Sequence, residues 1–519
     1  MKRIENYNLP DHLNTLHKQE ASSVIELARE IAEKTNELVD AFNGFSETDL
    51  NWKQNQEGII HKGVIYMKDN LINSLNELLK AYDHETIKNY ILSEYGSLMF
   101  TTPQMFGAVG DGISNDTEAI EKAIDSLTSG GIVYFPRGTY KMTGREVFIN
   151  KEKITFIGEG KILCDYGFRP KASNFKAFGM DMESIAYSQN SRAFMIDNSV
   201  NNGEEPSYIE NFTFKDCIFK NFFYSVCCIG GGYNFDGTEG EIGYPVRDVV
   251  IENCYSSTYT DKNAGHFQSI QIENISYINN RTYGGQNASS YNVIKGNGYI
   301  RVIGNYDHNN SYASCEIENG SGKAVIANNT FSHKIWIDDS YDVVVNANIT
   351  ENGISVTVGS NNGDSKNIVI SNNVTKNIRC EQFGTYLGGL IQNVNISGNT
   401  VNGDNTHGIW IHGNAVVNAK VSNNFITGTN TNDISIQRNE QLKCYISGNF
   451  GNGKNLLIAG SGGTVFAVDN YNINVSGTRD SLPTSHYERE FNGIRMTDSS
   501  GVAWRVNINS SGQLTGTKY

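Results

Sequence analysis

Three short words in the second half of the chain carry side chains suited to breaking bonds. In Cys315-Glu316-Ile317-Glu318-Asn319-Gly320, acidic and apolar residues alternate. A strand that turns Ile317 into a core turns Glu316 and Glu318 out on the opposite face, roughly 6.5–7 Å apart. Trp336-Ile337-Asp338-Asp339 repeats the pattern further on, with Ile337 inward. Cleavage of a glycosidic bond needs a proton donor and a base or nucleophile, usually two carboxylates. Carboxylates that crowd one another repel, so one of them holds its proton near neutral pH. Glu316, Glu318 and Asp338 are therefore the candidate catalytic set. Trp336 offers a flat face to a sugar. In Gly408-Ile409-Trp410-Ile411-His412, inward Ile409 and Ile411 leave Trp410 and His412 outward. With Glu381, and with Asp307 and His308 near the corner before the first word, they form the candidate binding set. Asp236, Glu239 and Glu241, inside a long insertion at 224–245, are secondary candidates. Outward carboxylates that merely solvate a surface or meet another subunit remain the alternative. Cleavage of a phosphodiester would call for a carboxylate-held divalent cation, Ca2+ or Mg2+; no motif here demands one.

These words need a frame that displays every second residue outward at regular height. An Asn follows a short β-branched run at 253, 280, 305, 329, 348, 373, 399, 424 and 449. The local words repeat too: VIENC, YINNR, VIGNY, VISNNV, KVSNNF, YISGNF. A repeat of about 25 residues made of short strands without helix signals is the mark of a solenoid. Each repeat reads as one rung of a parallel β-helix, with rungs stacked at about 4.8 Å. The recurring Asn is expected to turn the corner in left-handed geometry and to stack as a ladder. A rung spacing of that size makes Glu318 and Asp338 near neighbours and lays a groove from Glu316 to His412.

The flanks differ in texture. Residues 1–98 read as helices. Ala21, Val24, Ala28, Ile31, Thr35, Leu38 and Phe42 alternate steps of three and four, the seam pattern of a coiled coil. This leader suits oligomerisation or docking. Residues 99–475 form the solenoid, opened by a short helix. Asn115 or Asp116 caps that helix, and Ala119, Ile120, Ala123, Ile124 and Leu127 form its apolar face. Residues 476–519 leave the repeat, and two Ser/Gly-rich turns predict a hairpin cap that would blunt the open end.

Bulk properties exclude several functions. The net charge of −14 argues against a nucleic-acid partner. No run of 18 apolar residues offers a membrane span, and MKRIENYNLPDHLN lacks the apolar core of a secretory signal. A surface-acting protein without an export signal is expected to leave its cell by lysis, as virion proteins do. Hydrophobic content of 38 % beside 52 Gly, 27 Tyr and 24 Phe fits many short strands and tight turns, not disorder. The eight Cys show no zinc spacing and read as small buried hydrophobes kept reduced.

The stretch MFGAVGDGISNDTEAIEKAIDSLTSGGIVYFPRGTYKMTG (105–144) resembles the opening segment of pectate-lyase-like bacteriophage tailspikes. Gly107, Ala108, Gly110, Asp111, Gly112, Asp116, Thr117, Ala119, Ile120, Ala123 and Ile124 carry the match. The resemblance covers roughly 100–475, and the layout is similar to preneck appendages of Bacillus phages. It implies a right-handed, mainly β, parallel β-helix in a homotrimer, mounted on other tail or collar proteins through residues 1–98. The implied place of action is the bacterial surface. The implied task is to bind and depolymerise a cell-wall glycan, wall teichoic acid or capsule by hydrolysis. A non-catalytic adhesin, a polysaccharide lyase or a secreted bacterial polysaccharide-degrading enzyme are the alternatives. The family's role for the opening segment makes Asp111 and Asp116 structural. Arg301, Arg379 and Arg438 sit in no lyase motif, which disfavours the lyase.

Overall fold

The chain divides into two compact units, 1–94 and 95–519. A computed structural model describes residues 100–477 apart from 199–207, 232–243, 360–362, 383–388, 404–406 and a few shorter gaps, and three strands between 494 and 518. The expected helical leader and Asp236, Glu239 and Glu241 lie outside the described residues.

Strands of the second unit stack into three long parallel sheets of 15, 13 and 14 strands. A typical rung runs from Asn297–Ile303 in the first sheet to Tyr306–His308 in the second and Cys315–Glu318 in the third. The chain then climbs to Ala324–Ala327, back in the first sheet. This is a parallel β-helix. Every strand is buried on its inner side, where the apolar half of each alternation meets. Ile317, Ile337, Val356, Cys380, Ile411 and Ile436 form one such inward column. Burial of each Ile or Val contributes about 1.5–3 kcal/mol. The early rungs are filled with rings instead: Phe168 meets Phe156 edge to face at 4.8 Å and stacks on Phe194 at 5.6 Å between centroids.

The opening helix spans Thr117–Ser126, its Ala and Ile residues buried. Asn115 Oδ1 accepts from the Thr117 N–H at 3.2 Å and so caps it. Asp116 is buried and holds the preceding loop, accepting from Val109 N at 2.7 Å and Gly110 N at 3.2 Å. Asp111 closes its own turn through Ile113 N and Ser114 N. Those backbone donors pull its carboxyl below the usual range.

The ladder forms, one residue away from its expected geometry. Asn280, Asn305, Asn329, Asn348, Asn373, Asn399, Asn424 and Asn449 all point inward and are buried. Asn348 is representative. Its Nδ2 donates to Ile326 O at 2.8 Å and to Asn373 Oδ1 at 3.0 Å, while its Oδ1 accepts from the Asn329 amide. The left-handed residue is the one before each ladder Asn: Asn279, Asn328, Ala347, Asn372 and Asn423, with Gly304, Gly398 and Gly448 filling the same role. The corner needs one residue to turn the chain and the next to satisfy buried backbone groups, so the tasks fall on neighbours. Asn253 is itself left-handed, at φ 53°, and stands outside the ladder. Cys254 takes the ladder place there, its thiol donating to Phe214 O.

All eight Cys are buried free thiols. Near the C-terminus, Ile494–Thr497, Ala503–Ile508 and Leu514–Lys518 form a three-stranded antiparallel sheet.

Candidate active site on the third sheet

Register in the third sheet lines outward side chains into two parallel columns. One runs Gln268, Asn292, Glu316, Trp336, Ser355, Arg379, Trp410. The other carries Glu318, Asp338, Thr357, Glu381 and then His412, whose N–H donates to Cys380 O. Glu316, Glu318, Asp338 and Trp336 thus meet on adjacent rungs. Trp410, His412 and Glu381 lie on the same face, with Trp410 four rungs from Glu316, about 19 Å along the axis.

The cluster faces outward but is not bare. Glu316 is 5 % exposed, Trp336 7 % and Asp338 1 %. The loop before the Glu316 strand brings the Tyr312 ring to 5.8 Å from Trp336. Lys334 Nζ sits 3.7 Å from the Trp336 ring centre. Trp336 Nε1 donates to Thr357 Oγ1 at 2.7 Å, and Thr357 donates to Asp338 Oδ1. One face of Trp336 is therefore filled by a cation, which corrects the expectation of an open sugar platform there. Trp410 is half-buried and more accessible. His407 and His412 rings lie 5.1 and 4.7 Å from it, and the Arg379 guanidinium 5.5 Å.

Asn292 ties the carboxylates together. Its Nδ2 donates to Glu316 Oε2 at 2.9 Å and to Glu318 Oε1 at 3.0 Å. The two N–H bonds of one amide diverge by about 120°, which sets the acceptors about 5 Å apart. Ser289 Oγ adds a 2.5 Å bond to Glu316 Oε2. Burial raises the Glu316 carboxyl, opposed by Ser289, Asn292 and the Lys334 charge. Burial and the Glu316 charge push Glu318 up to about 8, with Asp338 and Asp339 adding to the rise. Burial lowers Lys334, and burial with the nearby carboxylates raises the Tyr312 phenol. At neutral pH the pair can hold one carboxylate and one carboxylic acid side by side.

Asp307 and His308 do not join the cluster. In Tyr306-Asp307-His308 the middle residue points inward. Asp307 is buried and accepts hydroxyl bonds from Thr282 at 2.9 Å, Ser314 at 2.6 Å, Ser332 at 2.9 Å and Ser290. It is a structural carboxylate behind the site. His308 is exposed on the second sheet, against the Tyr283 and Tyr306 rings.

Asn292, Ser289, Tyr312, Lys334 and Thr357 escaped the sequence reading. Asn292 had a signal: it occupies the Glu316 register position one rung earlier. Among the described residues no group of three or more His, Cys, Asp or Glu is placed to hold a metal ion. Glu316 Oε2 already accepts from Ser289 and Asn292, and Glu318 Oε1 from Asn292.

Residues 100–386, more than half of the chain, match the family described as rhamnogalacturonase A/epimerase, pectate lyase-like. The chain belongs to that family. Over 494 residues it is 23 % identical to the preneck appendage protein of Bacillus phage PZA, across 73 % of this chain and 54 % of that protein. Over 240 residues it is 26 % identical to the mannuronan C5-epimerase AlgE5 of Azotobacter vinelandii, across 42 % of this chain and 22 % of the epimerase. Among solved structures, the pre-mature gene product 12 of bacteriophage phi29 aligns with 79 % of this chain and 60 % of its own. That alignment has a TM-score of 0.41 at 15 % identity. The chain spans about half the length of the preneck appendage protein it matches. The resemblance to phage appendages thus meets named homologues, alongside the pectate-lyase-like family.

Proposed function

We propose that this pectate-lyase-like chain is part of a virion-borne tail appendage that binds a bacterial surface polysaccharide or wall teichoic acid and cuts it by hydrolysis. The observation that carries the reading is the pair Glu316 and Glu318, bridged by one amide and split by their surroundings. Glu318, protonated at neutral pH, gives its proton to the leaving oxygen. Glu316, richer in donors and beside Lys334, stays ionised and acts as nucleophile or base. A separation of about 5 Å matches the short spacing of retaining glycosidases. Burial and the Glu316 charge keep the proton on Glu318, and the Asp338 charge adds to their effect. Trp410, His412, Arg379 and Glu381 extend the binding face along the axis.

The similarity to preneck appendage proteins supports a place in the virion tail; the heptad spacing read from the sequence makes residues 1–98 the proposed attachment segment. A homotrimer is supported by an apolar stripe on the second sheet. Ile218, Tyr255, Tyr306, Ile349, Val374 and Phe425 stand exposed in one register column, broken by Arg281, Thr330 and Thr400.

The deep burial of Glu316 and Trp336 favours a second reading, a binding protein without turnover. Incubation of the purified protein with wall teichoic acid or capsule, followed by size-exclusion analysis, separates the two. Shortened polymer, absent with Glu316→Gln and Glu318→Gln, supports hydrolysis. Retention without shortening supports the adhesin. Shortened products carrying a new unsaturated sugar end would replace hydrolysis by elimination.

A further inference from the structure

Two polar residues of the preceding rung bond the carboxylates, and their bonds are unequally shared. Ser289 and Asn292 both donate to the same oxygen, Glu316 Oε2. Among the described residues Glu318 receives one side-chain bond, the second N–H of Asn292. We propose that Ser289 and Asn292 are positioning residues that assign the roles, holding Glu316 as the ionised partner and leaving Glu318 as the proton donor.

Hydrogen bonds to a carboxylate favour its charged form, so the partner with two donors gives up its proton first. The charged neighbours act in the same sense. Lys334 attracts the Glu316 charge, while Asp338 and Asp339 repel charge on Glu318. Tyr312 and Tyr224, the phenols nearby, are held protonated by burial and by these same carboxylates. Asn292 is buried, and its Oδ1 has no hydrogen-bond partner among the described residues. A buried acceptor left empty is costly. Rotating the amide would satisfy nothing, because its oxygen would then face two carboxylates. Both N–H groups are thus committed to the carboxylate pair at the expense of the carbonyl.

The inference rests on the hydrolytic reading for its purpose, but protonation can be read without turnover. Infrared difference spectra of the full chain, titrated from about pH 4 to 9, report buried carboxylic acids directly. One protonated band is expected at neutral pH, lost in Glu318→Gln; in Glu316→Gln the band should still be present at the acid end of the titration but disappear at lower pH than in the parent, because the Glu316 charge that helps hold the proton is gone. Ser289→Ala should move the Glu316 titration upward by about one pH unit, and Ser289→Thr, which keeps the hydroxyl, should restore it. Where polymer is cut, the acidic limb of the rate profile should move with it. A neutral-pH band that survives Glu318→Gln, or a Glu316 titration indifferent to Ser289→Ala, overturns the assignment. Polymer left uncut by a protein that shows the expected titrations would instead sink hydrolysis and leave the proton assignment standing.

Discussion

Lys334 seats its ammonium over one face of the Trp336 indole. The same charge helps keep Glu316 ionised. Lys334→Met retains the bulk and removes the cation. The indole should then become more open to a soluble quencher of Trp fluorescence. Turnover should also weaken first at the acidic end of its range, because Glu316 holds its proton to higher pH. Unchanged quenching and an unchanged acidic limb would deny the pairing.

Glu318→Gln tests the proton donor. Loss of a general acid lowers rates by about 10²–10⁴-fold, while retention of the polymer on the protein should persist. The same variant carries a stability signature. Glu318 titrates near 8 in the fold, above an ordinary Glu. The folded state therefore keeps a proton that the unfolded chain has lost. The resulting stabilisation is complete below the ordinary Glu range and fades as pH rises through 8. The slope is at most about 1.4 kcal/mol per pH unit. Thermal midpoints across pH 5–9 should fall more steeply for the parent protein than for Glu318→Gln.

His266 acts with the opposite sign. It is fully buried, bonded to Ser256 Oγ at 2.6 Å and to Gly284 O at 3.1 Å. Burial pushes it down to about 4, so it stays neutral in the fold. Its contribution is complete above the ordinary His value and is lost as pH falls from about 6.5 towards 4. Denaturant midpoints for His266→Gln should be lower than the parent's at neutral pH. The gap should narrow on acidification.

The ladder predicts a contrast between two Asn residues that look alike in sequence. Asn348→Ala leaves several buried backbone and amide groups without partners and should cost about 2–4 kcal/mol in chemical unfolding. Asn253→Gly keeps the left-handed turn and should shift stability by less than about 1 kcal/mol. Equal losses would mean that the ladder and the turn are not separate devices.

The rungs were legible because Ile317, Ile337 and Ile411 recur in alternation at near-constant spacing. Inward and outward faces follow directly from that pattern. Glu316 and Trp336 could be paired across rungs for the same reason. Their burial could not be read. Tyr312 and Lys334 arrive from loops whose length varies between rungs, and no period governs loop conformation. Asp307 was misplaced because a strand of three residues gives alternation too little length to fix its phase. The hydroxyls that donate to it come from four separate segments, and no local word announces them. Asn253 misled through the word itself. VIENC and YINNR share an Asn at the turn, but only the following residue enters the ladder.

From the second sheet, Asp307 reaches into the coil and gathers hydroxyls from its own and neighbouring rungs, among them Ser290 and Ser314, which lead into strands of the sheet that displays Glu316 and Trp336. It works as a keystone: storeys that meet at one stone cannot slide past each other singly. Fine alignment of the outer carboxylates is therefore underwritten from within. Damage to that inner joint would surface as blurred geometry on the far side, in a molecule that still coils correctly.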